Sequence, residues 1–256
     1  MLIFDFDGVL MDSVREVAVT AYNTLKGDVL LRRLDQMPQA ALALFLRNRF
    51  HLQPIGDAPV LMKWCLEAAG VDPGKLLSEE DYDKILRWVD EPIAGRTARF
   101  FEMRSRFKQK DLNAWFALNA PVQPLWGLLV EGQGRGLVLL TNKNREATVA
   151  LCRHFGLDIE GDDVYAGDGG TSKIANMQKI MQRFGKDRTY AFIDDSVKNL
   201  REIDAHFNEG NRIVELLFAT WGYTGPNDAR FAASFGYRAM AMDELMQSLR
   251  RDLFFH

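Results

Sequence analysis

The 256-residue sequence predicts an α/β protein, a doubly wound and mainly parallel sheet with an all-helical segment inserted after its first strand. Three observations carry that expectation. From about residue 122 onward, short apolar runs alternate with helical patterns, as βαβ units require. Residues 14–121 instead carry one helical pattern after another and no convincing strand. Finally, three apolar runs end in polar groups, namely Asp5 and Asp7, Thr141, and Asp194 with Asp195. In open parallel sheets the C-terminal strand ends form the ligand site. The expected division is a core of residues 1–13 and 122–256 and an insertion of residues 14–121.

Taken in order, Leu2 to Phe6 reads as a buried strand, apolar except at Asp5, and Gly8 permits a sharp bend after it. Ser13 stands where it can cap a helix running to about Leu25 and closed by Gly27-Asp28. A second helix is expected over Leu34–Phe50, with Leu42, Phe45, Leu46 and Phe50 on one face. Pro59 in a first turn and Gly70 past an end bracket the third. Ser78-Glu79-Glu80-Asp81 opens a fourth, ending near Glu91-Pro92. A longer helix spans about Gly95–Leu118, with a break near Asp111.

Pro121-Val122-Gln123-Pro124 punctuates the return to the core. Beyond it, strands are expected at Leu137–Leu140, Asp163–Ala166, Tyr190–Ile193, Ile213–Ala219 and Ala239–Ala241. Helices at Leu125–Glu131, Arg145–Phe155, Lys173–Phe184, Ser196–Phe207 and Asp243–Leu253 alternate with them.

Composition bounds the function. Hydrophobic residues make up 47% and charged residues 26%, as in ordinary globular proteins. A net charge of −3 gives no electrostatic case for nucleic acid or a membrane surface as partner. Cys65 and Cys152 lie far apart in apolar helical surroundings and read as reduced, buried thiols of a cytoplasmic protein. Their spacing suits no zinc site, and the first residues carry no signal-peptide pattern.

The strand ends carry the chemistry. Asp5 and Asp7 are two residues apart, so strand-like geometry turns both to one side. Carboxylates there need a cation or protons; alternatively, Asp7 begins a turn that Asp5 caps. Thr141 alone reads equally as a structural strand-end residue. Lys173 in the first turn of a helix is disfavoured by the helix dipole unless an anion lies beside it; on the surface it would simply be solvated. Adjacent Asp194 and Asp195 repel each other and ask for a hard cation such as Mg²⁺, or else cap the helix that follows.

These residues stand in a familiar order. LIFDFDGVLMDS (2–13), LVLLTNK (137–143), Lys173 and FIDDSVKN (192–199) together resemble the signatures of the haloacid dehalogenase superfamily. TNK and Trp221-Gly222-Tyr223 are similar to its phosphoglycolate-phosphatase-like members. The resemblance implies a Rossmann-like core, a helical cap, and a Mg²⁺-dependent phosphohydrolase acting on a small phosphorylated metabolite. It implies Asp5 as the nucleophile and Asp7 as the acid/base. Thr141, Asn142 and Lys173 are implied to bind the phosphoryl group. It further implies metal ligation by the Asp5 side chain, the Asp7 backbone carbonyl and Asp195, with Asp194 acting directly or through water, and a supporting role for Asn199. No Lys-Pro pair follows Lys173, which departs from a common family form and leaves Lys143 and Lys179 as alternatives.

Asp7 argues against dehalogenation, whose enzymes resemble this family but lack that second acid. A phosphomutase of the β-phosphoglucomutase type shares every core motif, and a non-catalytic binding protein is the remaining alternative. Arg96, Arg99, Arg106 and Lys110 in the insertion are either a solvated basic face or a contact for a second anionic group of the substrate; Arg47, Arg49 and His51 are similar candidates.

Overall fold

A computed structural model of the chain describes residues 1–87, 89–132, 134, 136–185 and 188–254. It separates into two compact units, Met1–Asp12 with Pro121–His256, and Ser13–Ala120.

The first sheet strand, β1, is Leu2–Phe4. It stops short of the expected Phe6 because the chain turns: Leu10 and Met11 both donate backbone N–H groups to Phe6 O at 2.9 Å. Gly8 takes a φ of +93° within that turn, a conformation open to glycine and costly for other residues.

The second unit is helical: α1 (Val14–Lys26), α2 (Gln39–Arg47), α3 (Ala58–Ala68), α4 (Glu79–Arg87), α5 (Ile93–Lys110) and α6 (Leu112–Ala117). The continuous helix expected over Leu34–Phe50 is not there. Proline lacks the N–H and disfavours helical geometry in the residue before it, so Pro38 splits the segment. A 3₁₀ turn at Leu34–Gln36 precedes α2, and another at Arg49–His51 follows it. The break near Asp111 falls between α5 and α6, and the Asp111 carboxylate accepts from Ala114 N at 3.0 Å to cap α6. The fourth helix ends at Arg87 rather than near Glu91-Pro92: residue 88 lies outside the described residues, and residues 89–91 are not helical. Val17, Ala21, Phe45, Leu61, Phe100 and Phe107 are among the residues buried here. One charge pair is buried with them: Arg104 donates to both Glu16 oxygens, at 2.9 and 2.7 Å, and Thr20 Oγ1 donates to the same carboxylate at 2.7 Å. With its donors matched, the pair is tolerated inside.

The chain then alternates: α7 (Leu125–Glu131), β2 (Val138–Leu140), α8 (Arg145–His154), β3 (Val164–Tyr165), α9 (Lys173–Phe184), β4 (Tyr190–Asp194), α10 (Val197–Phe207), β5 (Val214–Ala219), α11 (Asp228–Ser234), β6 (Arg238–Met240) and α12 (Met242–Phe254). Helix α11 was not among the helices expected from the sequence.

The six strands form one parallel sheet in the order β3-β2-β1-β4-β5-β6. Successive side chains leave opposite faces. Ile3, Val138, Leu140 and Phe192 pack with Met177, Ile180, Leu200 and Ile203 of α9 and α10. Phe4, Leu139, Ile193 and Leu217, one residue out of phase, are buried as well. Covered on both faces, the strands are apolar runs rather than alternating ones. The chain goes from β1 outward through β2 to β3, then returns to the other side of β1 as β4. Such a reversal opens a crevice at the carboxyl ends of the two strands beside it. No described helix is long and apolar enough to cross a membrane.

Candidate active site

The two strands at the reversal deliver the carboxylates. Pairing of Phe4 with Ile193 brings the next residues, Asp5 and Asp194, side by side. Asp5 extends the pairing by one bond, its N–H donating to Ile193 O at 2.8 Å. Both are buried, as is Asp195.

Lys173 lies between them. Its ammonium donates to Asp5 Oδ1 at 2.6 Å and to Asp194 Oδ2 at 2.5 Å. The lysine begins α9, whose N-terminus Ser172 caps by accepting from Ala175 N at 3.2 Å. A buried cation at this end of a helix is disfavoured by the dipole and by desolvation, and two carboxylates offset both. Lys179 is exposed on the same helix with Asn176 Oδ1 3.4 Å away, and Lys143 turns elsewhere. Of these three lysines, Lys173 is the one on Asp5.

Asp194 is held from several sides. Ser196 N donates to its Oδ1 at 2.8 Å, and Asn199 Nδ2 stands 3.2 and 3.0 Å from its two oxygens. Asp195 Oδ2 accepts from Tyr223 N at 2.6 Å. Asp7 faces a separate partner: Lys143 Nζ donates to its two oxygens at 2.9 and 3.2 Å. Thr141 is buried at the end of β2, and its hydroxyl accepts from Lys143 N at 3.1 Å. Asn142 is exposed, and no described hydrogen bond joins its side chain to the carboxylates.

Burial pushes the Asp5 carboxyl well above the ordinary carboxylate range. Lys173 opposes that push, while Asp194 and Asp195 add to it. Burial alone would push Lys173 down, but Asp194 and Asp5 more than offset it and hold the ammonium above its ordinary range. The cluster therefore contains a firmly charged lysine and a surplus of acid.

That surplus fits a hard cation. Asp5, Asp194 and Asp195 each offer an oxygen, all within 4.8 Å of one another. Counting Asp7 and Lys143, four carboxyl groups face two ammonium groups, an excess of acid that a divalent cation would offset. An all-oxygen donor set of this kind suits Mg²⁺.

The glycines near this cluster are where the backbone comes close. A Cβ at Gly8 would overlap Asp195 Oδ2, and one at Gly222 would overlap the Asp195 side chain. Neither contact, nor the Lys143–Asp7 pair, was foreseen from the sequence; the signals were Gly8, Trp221-Gly222-Tyr223 and the third residue of TNK.

Arg96, Arg99, Arg106 and Lys110 of the helical unit all have partners within that unit. Arg96 is buried, donating to Asp57 Oδ1 at 2.5 Å, and Arg99 pairs with Glu91. Arg106 meets Asp28 Oδ1 at 2.9 Å, and Lys110 Nζ donates to Val29 O at 3.2 Å. Arg96 is thus no part of a solvated face. A cleft of about 400 Å³ in this unit is lined by Leu30, Arg32, Arg33, Gln36, Asp111 and Ala114. Its two arginines are already paired, with Asp111 at 3.5 Å and Asp35 at 2.9 Å.

No protein-family model and no curated protein sequence matches this chain. Solved structures do. A haloacid dehalogenase-like family hydrolase from Streptococcus pneumoniae superposes with a TM-score of 0.58 at 15% identity, covering 100% of this chain and 97% of the other. A predicted phosphatase from Clostridium acetobutylicum gives 0.56 at 15%, covering 97% and 96%. Protein tyrosine kinase A of Mycobacterium tuberculosis gives 0.53 at 18%, covering 97% and 96%. At such identities the likeness is one of fold.

Proposed function

We propose that this chain, whose fold is that of the haloacid dehalogenase-like hydrolases, is a Mg²⁺-dependent phosphohydrolase of a small phosphorylated metabolite. The observation that carries the reading is the Lys173 ammonium bridging Asp5 and Asp194, with Asp195 in the same group, at the reversal of the sheet. A dianionic phosphoryl group needs charge neutralisation and an in-line nucleophile. The fold alone does not choose this chemistry, since a protein named as a tyrosine kinase and one named as a phosphatase share it.

On this reading Asp5, Asp195 and Asp194, with the Asp7 carbonyl, would hold the cation. When bound, it supplies positive charge for the phosphoryl oxygens and for the Asp5 carboxylate. An Asp5 oxygen attacks phosphorus, and the bond to the leaving oxygen breaks as Asp7 gives it a proton. Asp7 then takes a proton from water, whose oxygen attacks the aspartyl phosphate; the phosphorus–Asp5 bond breaks, phosphate leaves and the carboxylate returns. Lys173 and Thr141 bind phosphoryl oxygens, and Asn142 borders them. The helical insertion, residues 14–121, is assigned the role of a cap that sets substrate choice.

The test is a screen of phosphorylated metabolites with Mg²⁺, reading released phosphate for wild type and Asp5→Asn. Turnover by wild type and background rates for the variant support the reading. Phosphate returned to another position of a sugar instead of water would make the protein a mutase. Undiminished hydrolysis by Asp5→Asn, with contamination excluded, would refute the assignment.

A further inference from the structure

We propose that Tyr223 is a positioning residue that sets the Asp195 carboxylate at the distance from Asp5 that the cation requires, an inference resting on the metal reading above.

Three described contacts tie Tyr223 to two different segments. Its backbone N–H donates to Asp195 Oδ2 at 2.6 Å. Its phenol donates to Asp12 Oδ1 at 2.9 Å. Its ring lies against the Gly8 backbone, close enough that a Cβ on Gly8 would stand 2.9 Å from Tyr223 Cδ2. The neighbouring Trp221 adds a fourth tie, its indole N–H donating to Val9 O at 3.0 Å. The loop after β5 is therefore fastened along residues 8–12, the segment that continues directly from Asp5 and Asp7.

The consequence is geometric. Asp5 leaves β1 and Asp195 follows β4, so the ligand carboxylates belong to separate pieces of chain. An unrestrained aspartate samples several rotamers. The N–H of Tyr223 on Oδ2 selects one, and a hydrogen bond to a charged acceptor is stronger than a neutral one. That N–H is aimed by a residue whose own side chain is anchored on the Asp5-bearing segment. Tyr223 thus spans the gap between the two ligands and passes the position of one to the other. Gly222 lets it do so, because no side chain fits between that backbone and Asp195. Mg²⁺ requires near-ideal octahedral geometry with short bonds, so slack in one carboxylate weakens binding directly. Groups that orient metal ligands are typically worth about 10–100-fold in affinity.

The experiment is calorimetric titration of the 256-residue chain with Mg²⁺ alone, comparing wild type, Tyr223→Phe, Asp12→Ala and the double variant. Tyr223→Phe keeps the ring and its packing on Gly8 and removes only the phenol's bond. The proposal expects each single variant to bind Mg²⁺ about tenfold more weakly. It expects the double variant to be no weaker than the singles, since both remove one link, and the metal-free melting temperature of Tyr223→Phe to stay close to wild type. Wild-type affinity in Tyr223→Phe overturns the proposal and leaves the metal reading standing. Additive losses in the double variant also overturn it, because the two residues then act separately. A wild type that binds no Mg²⁺ overturns the metal reading itself, and the proposal with it.

Discussion

Lys143 donates to both oxygens of Asp7, at 2.9 and 3.2 Å, from a side chain that is 1% exposed. The pairing joins the turn after β1 to the loop after β2, and it fixes where the Asp7 carboxylate stands. If Asp7 delivers the proton to the leaving group, Lys143→Met should harm substrates that need that proton most. Hydrolysis of alkyl phosphates should fall by roughly ten- to a hundredfold, within the range of general acid catalysis. Aryl phosphates with good leaving groups should lose much less. Equal losses across a leaving-group series would separate Lys143 from the acid.

Lys173 has a different task, because it compensates two buried carboxylates at once. Removing one partner of a buried charge cluster costs about 3–5 kcal/mol. Lys173→Met should therefore be destabilised by about that much at neutral pH without metal. Denaturant unfolding measures this, and added Mg²⁺ should restore part of the loss by binding the folded state. A variant as stable as wild type would contradict the buried ion-pair geometry.

Asp5 makes the metal-free protein sensitive to pH. Burial, reinforced by Asp194 and Asp195, raises its carboxyl above the ordinary value in the folded chain. A folded state that holds this proton more tightly than the unfolded chain is favoured as pH falls. The contribution is complete below the unfolded value, about 4, and is lost as pH rises through the raised folded value. At neutral pH the unfolded wild type gains free energy by ionising Asp5, whereas the folded state resists that ionisation; Asp5→Asn has no such penalty. In chelator, Asp5→Asn should melt above wild type at neutral pH, and the difference should shrink as pH is lowered toward about 4. Melting curves across that range check the sign; a difference that grows on acidification would contradict it.

Both cysteines should be silent in the native protein. Burial pushes the Cys65 and Cys152 thiols up to about 12, and neither has exposed surface. At pH 8 roughly one thiol in ten thousand would be ionised, and thiolate is the reactive form. A disulfide reagent should therefore find no reactive thiol until denaturant unfolds the chain, and then find both. Rapid reaction of either before unfolding would show that its helix opens locally.

How much of this was legible beforehand depends on whether the cause is local. Strands β4 and β5 and helices α9 and α10 were readable because periodicity, the Ser196 cap and apolar runs act within a few residues of chain. The grouping of Asp5, Lys173 and Asp194 was implied by motif order alone, since the residues are up to 189 positions apart in sequence. The split of residues 34–50 is local too, since it follows from Pro38 alone. By itself the sequence determined the α/β pattern, the helical insertion, and which polar residues stand at strand ends. Only the tertiary structure decided which carboxylate each lysine meets, that Tyr223 ties Asp195 to Asp12, and that Gly8 and Gly222 make room for Asp195. The physical reason is that these contacts join segments brought together by sheet register and strand order, which are set by burial of the whole core rather than by any one stretch of chain.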